Sequence, residues 1–558
     1  MNNREEKKLD KNYFLALALS MLVLVGYSFL LQKLRPQTPA PQNNAAQQIT
    51  ATSESKTNQI QEKQNGETVG EAVLEKSEEP QVTRYQNRLY DVELSTLGGT
   101  VTRLIFKGEN RQSGISNEAF YEGEAQAPGI FGIRFSNEDA DLSKTRFKMK
   151  LIPGRSGAYE FIYEKVGSYR INKKFYFGEK EPIIALDVSI ENLSPEERRY
   201  PIVFHYGLNA DVKHEQDKAM VQAVAKAQKI MEADHGKLSK KAFLISEEIV
   251  WAGLIKKYFA LLVKPEIKAV SQETRLLGHN METDMALEPL TLAPGASTQK
   301  QIFIYAGPQR YEVLSAFNSG FEDLLSRGIF GAFKILLLKS LKFFNQYSHN
   351  FGWAIILMTL VIKGLFSPLT NMSFKSMKKM QALQPKLKSL QERYKNDATK
   401  LNQSMMELYK KNKVNPLGGC LPMLLQIPIF IAFYQMLNDA IELKGAPFIG
   451  WIKDLAEPDR LWAFPTILPF IGSSFNILPL LMVGSMVLQQ RMTPQMSTSP
   501  EQAKMMNIMM PIMFGFMFYN MPSGLVLYWL MNNTFSIIQQ GLVKRMIVIP
   551  HHDDEDEK

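Results

Sequence analysis

Lys363 stands alone as a cation near the middle of residues 351–369, an otherwise uncharged apolar run. A charge at that depth of a spanning helix costs about 2.5 to 3.5 kcal/mol on insertion scales, so it calls for a partner or a task. Thr359 lies one turn before it, and Gln426, Asn532 and Thr534 put further polar side chains into other apolar runs. A cation among hydroxyls and amides in a wet, poorly screened cleft can attract acidic or polar chain segments, which is capture and not covalent chemistry. Other constellations fail on spacing. His214-Glu215 opens like a zinc-protease helix, but Lys218 stands where the second histidine is needed. Gly236-Lys237 is followed by Leu238, with no glycine five residues earlier, so it makes no phosphate loop. Pro522-Ser523-Gly524 has Met521 where a nucleophile elbow wants glycine, and none of the seven histidines falls in an apolar run. An enzyme is therefore not expected, and neither is a metal or a cofactor. The one cysteine, Cys420, excludes an internal disulfide framework and a thiolate zinc cluster.

The elements that must position Lys363 follow from patterning. The 558 residues are 45% hydrophobic and 22% charged, an average over a polar first half and an apolar second half. Residues 13–31 form an uncharged run close to the roughly 20 needed to cross a bilayer. Arg4, Lys7, Lys8 and Lys11 precede it, so its N-terminus is expected inside. An anchor over 1–31 then leads into a tether over 32–80, rich in Pro, Gln, Asn, Ser and Glu and too poor in apolar surface to fold. Alternation such as Tyr90-Asp91-Val92-Glu93-Leu94, punctuated by turns such as Leu97-Gly98-Gly99 and Ala293-Pro294-Gly295, predicts an antiparallel β-sandwich over 81–320. Within it only 216–233 reads as polar helix or loop. Residues 321–350 read as an interfacial amphipathic helix whose Lys334, Lys339 and Lys342 reach lipid headgroups. Spans are expected at 351–372, 416–437, 473–491, 505–520 and 524–541, which with the anchor makes six transmembrane helices.

Loop charge sets the topology. Residues 373–415 carry Lys375, Lys378, Lys379, Lys386 and Lys388 among other cations, so this segment is expected in the cytoplasm. Met377, Met380, Leu383, Leu387, Leu390 and Tyr394, then Leu401, Met405 and Leu408, predict a two-helix hairpin with a kink at Pro385. The loop 438–472 is acidic and expected outside, 492–504 is expected inside, and the acidic tail 542–558 ends inside. The net charge of +9 is explained largely by the hairpin, so no specific nucleic acid is implied, although its lysines suit anionic phospholipids or ribosomal RNA.

Two longer stretches are more specific. Lys413-Val414-Asn415-Pro416-Leu417-Gly418-Gly419-Cys420-Leu421-Pro422 with Gln426-Ile427-Pro428-Ile429-Phe430, and Met521-Pro522-Ser523-Gly524-Leu525-Val526-Leu527-Tyr528-Trp529, resemble hallmark stretches of the YidC membrane protein insertases. The resemblance extends over the whole chain and is to the Gram-negative form with a large periplasmic domain. It implies a multi-pass α-helical protein of the bacterial inner membrane with both termini cytoplasmic. A five-helix core would enclose a hydrophilic groove, open to cytoplasm and lipid and closed outside, beside a periplasmic all-β sandwich. The implied function is insertase and folding chaperone for nascent membrane proteins, alone or with the Sec translocon and its accessory subunits. The ribosome or signal-recognition machinery would dock on the basic hairpin. Thr359, Lys363, Gln426, Tyr528, Trp529 and Asn532 would line the groove, with Ile427 and Phe430 as a surface along which substrate slides. Methionines such as Met505, Met509, Met513 and Met517 could add to that surface. The chain departs from the family in having Lys363 where arginine is usual, which keeps the charge without the bidentate fork. It also ends Asp553-Asp554-Glu555-Asp556-Glu557-Lys558 where many relatives have a basic tail. A solute or proton-coupled transporter and a cell-envelope scaffold remain as other readings of an intramembrane lysine and a large outer domain.

Overall fold

The computed structural model describes residues 80–108, 117–124, 127–137, 141–211, 215–328, 330–395, 397–412, 414, 421–468, 472–492 and 508–546. The expected anchor, the tether up to 79, most of the stretch 413–420, the inner loop 493–504, Met505 and Met506, and the tail beyond 546 lie outside the described residues.

Period-two alternation drives the first half. In Tyr169–Phe177 the inward positions are Tyr169, Ile171, Lys173, Phe175 and Phe177, and in Ile183–Asn192 they are Ile184, Leu186, Val188, Ile190 and Asn192. These strands sit in a nine-stranded antiparallel sheet that begins at Ile230–Asp234 and ends at Lys148–Leu151. A five-stranded sheet from Phe243–Ile245 to Gly132–Phe135 and a four-stranded sheet from Val82–Gln86 to Glu118–Glu122 contribute to the same core. Central strands of the large sheet are buried on both faces. Phe259, Leu261 and Val263 join that core, while Ala260 and Leu262 pack with Trp251, Tyr305 and Leu314 under the short helix α1 (Tyr311–Ala316). Each large apolar side chain so buried contributes about 1.5 to 3 kcal/mol against exposure. The expectation of helix or loop over 216–233 is met by the short helical turn Glu215–Met220 and corrected beyond it: Gln222–Lys226 and Ile230–Asp234 are paired strands. The small side chains of Ala223, Val224 and Ala225 are buried, and their weak apolar signal was masked by flanking charges.

Lys173 is a polar exception inside this core. Its ammonium, buried from solvent, donates to the carbonyls of Gly98 at 3.2 Å, Gly99 at 2.5 Å and Phe131 at 2.8 Å, and lies over the Phe147 and Phe175 rings. All three carbonyl residues have positive φ, at 65°, 53° and 64°, so the lysine satisfies acceptors that a tight backbone turns away from the sheet ladders. Burial lowers the Lys173 ammonium to about 7.

The helical half starts with α2 (Gly331–Ser348), and two of its lysines correct the headgroup expectation. Lys334 pairs with Asp439 at 3.0 Å, Lys342 lies 2.6 Å from both Glu312 and Glu442, and Lys339 sits over the Tyr311 ring at 4.4 Å. Lys334 and Lys342 therefore face protein carboxylates, where pairing offsets desolvation, Lys339 stays exposed, and the outward apolar stripe is Leu336, Phe343 and Tyr347. The ion pairs tie α2 to the β-rich part through Glu312 and to the helical core through Asp439 and Glu442.

Next comes α3 (Phe351–Ala382), a continuous helix that joins the expected span to the first arm of the expected hairpin. Among the described residues it is the one helix long and apolar enough by itself to cross a membrane. It stops at Leu383, and Pro385 sits in the first turn of α4 (Gln384–Arg393) instead of kinking a longer arm, because proline lacks only an N–H that the first turn leaves unpaired. Antiparallel α5 (Ala398–Lys411) completes the hairpin, with Met380, Leu387, Tyr409 and Val414 between the arms. The remaining helices are α6 (Leu421–Asp439), α7 (Leu478–Met492), α8 (Met510–Phe518) and α9 (Ser523–Met546). The expected start of α7 at 473 is corrected, since Gly472–Phe475 pairs as a strand with Trp462–Leu468.

One apolar core is shared by α2, α3, α6, α7, α8 and α9, and the loop after α6 inserts Leu443, Ile452 and Leu455 into it. That loop closes the end from which α3, α7 and α9 start. A Cβ at Gly352 would collide with the Phe448 ring, and Ser523 and Gly524 donate their amides to Glu457 and Leu455 at 2.8 and 2.9 Å. Asp459, buried, accepts on Oδ2 from Trp451 Nε1 at 2.8 Å and from the Ile477 and Leu478 amides at 3.0 and 2.9 Å, which caps α7 from a distance in sequence. Fully buried Asn476 donates to the Tyr519 carbonyl at 2.8 Å and fastens the end of α8 to the same plug. On the outside of the helices large apolar side chains face outward, among them Leu365 at 72% exposure and Phe516 at 63%.

Two outcomes follow. Between the folded value near 7 and an unfolded value of about 10.4, the unfolded chain binds more protons at position 173, so stability of the β-rich part rises with pH across that window. Thermal unfolding from pH 7 to pH 9 should show this rise in wild type and a flatter profile in Lys173→Met; equal slopes would mean that the carbonyls keep the ammonium charged throughout. Asp459→Ala should speed hydrogen exchange of the Ile477 and Leu478 amides by about tenfold, the loss of a cap costing about 1 to 2 kcal/mol, while Asp459→Asn changes them less.

Candidate functional site

The expected groove residues lie on α3, α6 and α9, and α9 is where their polar groups meet. Tyr528, Asn532, Ser536 and Gln539 recur at steps of three and four, so they share one side of that helix. Tyr528 accepts from Gln426 Nε2 of α6 at 2.6 Å. Ser536 Oγ accepts from Lys363 Nζ of α3 at 2.8 Å and donates to the Asn532 carbonyl at 2.8 Å. Gln539 Nε2 reaches Ser367 Oγ at 3.0 Å and Asn371 Oδ1 at 2.8 Å, again on α3. On a neighbouring side, Asn533 Nδ2 donates to Ser485 Oγ of α7 at 3.0 Å. A single helix thus makes polar side-chain contacts with three others, in the way that hydrogen bonds substitute for hydrophobic drive between helices in lipid.

Lys363 is half-buried, and among the described residues it has no carboxylate partner; its recorded acceptor is the Ser536 hydroxyl. Lysine has three N–H donors, so this arrangement leaves donor capacity beside a polar seam. Lys363, Ser367 and Asn371 follow each other at four-residue steps, which makes the seam a strip along α3 facing α9.

The other expected residues are placed differently. Thr359 is buried and turns its hydroxyl back to the Ile355 carbonyl at 2.6 Å. Tyr528 is buried with its ring stacked on Phe433 at 3.9 Å, leaving its hydroxyl as the polar end. Trp529 packs edge-on to Phe430 at 4.9 Å and beside Phe514 and Phe518. Of the two sliding candidates, Phe430 is in that aromatic cluster and half-buried, whereas Ile427 is exposed. Met509, just before α8, and Met513 and Met517 on it are also exposed at four-residue steps. On the hairpin, Lys375, Lys379, Lys386 and Lys388 are exposed and Lys378 is half-buried.

Ser367, Asn371, Ser485, Asn533, Ser536 and Gln539 join the seam without having been singled out. Their spacing within apolar helices was the available signal, since serine and amide residues at threes and fours mark a side that meets protein. Ser523, in the proline-serine-glycine stretch, donates its hydroxyl to the Asp454 carbonyl at 2.8 Å and so holds the plug.

With this geometry in place, relatives give it a family. Residues 343–550 match the family described as 60Kd inner membrane protein, and residues 83–339 match the YidC periplasmic domain. A membrane protein insertase YidC from Geobacter sulfurreducens is 33% identical over 558 aligned residues, covering 97% of this chain and 99% of the relative. One of the same name from Syntrophus aciditrophicus is 33% identical over 562, covering 96% and 100%. Among solved structures, a crystal structure of an active YidC insertase aligns with 83% of this chain and 92% of its own at 18% identity and a TM-score of 0.36. The chain belongs to the YidC family of membrane protein insertases, inner-membrane proteins that combine a β-rich periplasmic domain with a helical C-terminal core.

Proposed function

We propose that this chain inserts nascent proteins into the inner membrane by drawing a polar or acidic segment of the substrate to Lys363 and letting the following apolar segment move sideways into lipid. The observation that carries this reading is an ammonium group on an apolar helix with a serine hydroxyl, and no described carboxylate, as its partner. In a groove that excludes bulk water, such a charge attracts an incoming carboxylate more strongly than it would in solution. Transfer of an apolar segment of about 20 residues into hydrocarbon then supplies the driving force, so nucleotide hydrolysis is not needed.

The rest of the arrangement supports the same sequence of events. The plug built on Asp459, Asn476 and Leu455 sits at one end of the helical core, which fits a groove closed toward the periplasm. The apolar surface around Leu365, Ile427, Met513 and Phe516 fits lipid and substrate contact. In this reading the core is five spans, the N-terminal anchor makes a sixth, both termini are cytoplasmic, and the basic hairpin of α4 and α5 receives ribosomes or signal-recognition machinery. Thr359 and Tyr528 act as supports whose packing sets the positions of Lys363 and Gln426.

The test is protease-protected insertion of a single-span protein with an acidic outer tail into liposomes containing only the purified chain. Lys363→Ala should reduce insertion about tenfold or more, Lys363→Arg should retain most of it, and a substrate with a neutral tail should respond less to either change. Full activity of Lys363→Ala on the acidic substrate would contradict charge capture.

A further inference from the structure

The ammonium of Lys363 rides on a flexible four-carbon stem, so covalent geometry does not fix the depth at which it meets a substrate. A lysine on a spanning helix tends to turn that stem toward the nearest membrane surface. What holds the tip of the stem, among the described residues, is Ser536 Oγ of α9 at 2.8 Å. A serine hydroxyl has one proton and two lone pairs, and the proton of Ser536 goes to the Asn532 carbonyl at 2.8 Å. That bond leaves the hydroxyl as an acceptor alone, matched to an ammonium N–H. Ser536 is buried, at 4% exposure, so its orientation is set by α9 and not by bulk water. The base of the stem is fixed to the same helix, because Gln539 Nε2 bonds Ser367 Oγ and Asn371 Oδ1, one and two turns beyond Lys363 on α3. A carboxylate at position 536 would pair with the ammonium, and an apolar side chain would let it withdraw; a serine bonded back to its own helix does neither.

We propose that Ser536 is a positioning residue for insertion: its hydroxyl, made an acceptor by the Asn532 carbonyl, holds the Lys363 ammonium at the level of the seam where an acidic substrate segment reaches it. Ser536 acts through Lys363 and not on the substrate, since its one proton is already engaged. One N–H of Lys363 stays on Ser536 while the other two remain for the incoming carboxylate. The inference rests on the charge-capture reading and deepens it by naming the group that sets where the charge stands.

Ser536→Thr and Ser536→Val have nearly the same shape and differ in the hydroxyl, so the full-length chain carrying each is compared in liposome insertion of the acidic-tailed protein, with Lys363 present and in a Lys363→Ala background. With Lys363 present, the threonine variant should retain most of the activity and the valine variant should insert about tenfold less, the ratio that one hydrogen bond to a charged group gives. In the Lys363→Ala background the two should insert alike, because the hydroxyl then has no ammonium to hold. Equal activity of the two with Lys363 present, or a gap of the same size without it, would overturn the positioning role and assign Ser536 to packing. Those results leave charge capture standing provided that Lys363→Ala by itself is impaired; full activity of Lys363→Ala would overturn capture and this inference together.

Discussion

A lone ammonium group on an apolar helix, neutralised by no described carboxylate, is the interaction around which the helical core makes sense. Removing an ion from water is costly unless polar groups or hydration replace what it loses. Here the replacement comes from α9, whose Ser536 accepts from Lys363 and passes its own proton donor to the Asn532 carbonyl. The same helix bonds Gln426, Ser485, Ser367 and Asn371, so the polar atoms of the core converge on it instead of scattering. Such a seam can hold a charge without pairing it to a described carboxylate, which is what the proposed capture of acidic segments requires.

The two ends of the core are held by different contacts. At the plug, backbone and side-chain bonds from Asp459, Asn476, Ser523 and Gly524 fasten the starts of α7 and α9 and the end of α8. α2 adds a second tie, because Lys334 and Lys342 bind it to the loop after α6 and, through Glu312, to the periplasmic domain. Toward the hairpin, the arms of α4 and α5 contact one another through a small apolar cluster of their own. Between the plug and the hairpin, Gln539 of α9 still holds α3 through Ser367 and Asn371.

Much of this was legible in the residues. Tyr169–Phe177 and Ile183–Asn192 alternate cleanly because one face is buried, and Lys363 was conspicuous because an uncharged run surrounds it. The misreadings have physical causes. Gln222–Lys226 buries only alanine and valine, too little contrast to show against its charged neighbours. The lysines of α2 looked like snorkelling residues because a sequence shows that a cation borders an apolar stripe, not that Asp439 and Glu442, about a hundred residues later, will be waiting for it. Pro385 read as a kink because its effect depends on whether it falls inside a helix or in its first turn. The partners of Tyr528 were equally hidden: an aromatic beside a polar helix side can line a cleft or stack in a core, and only the placement of Phe433 decides.

A groove closed by the plug must admit water to the seam from one side. Cys420 is the only cysteine, so Cys420→Ser gives a clean background for Asn532→Cys, next to the Lys363–Ser536 pair along α9. A membrane-impermeant thiol reagent should label position 532 when added from the cytoplasmic side of oriented vesicles and not from the periplasmic side. Labelling from the periplasmic side, or from neither, would contradict a hydrated groove closed by the plug.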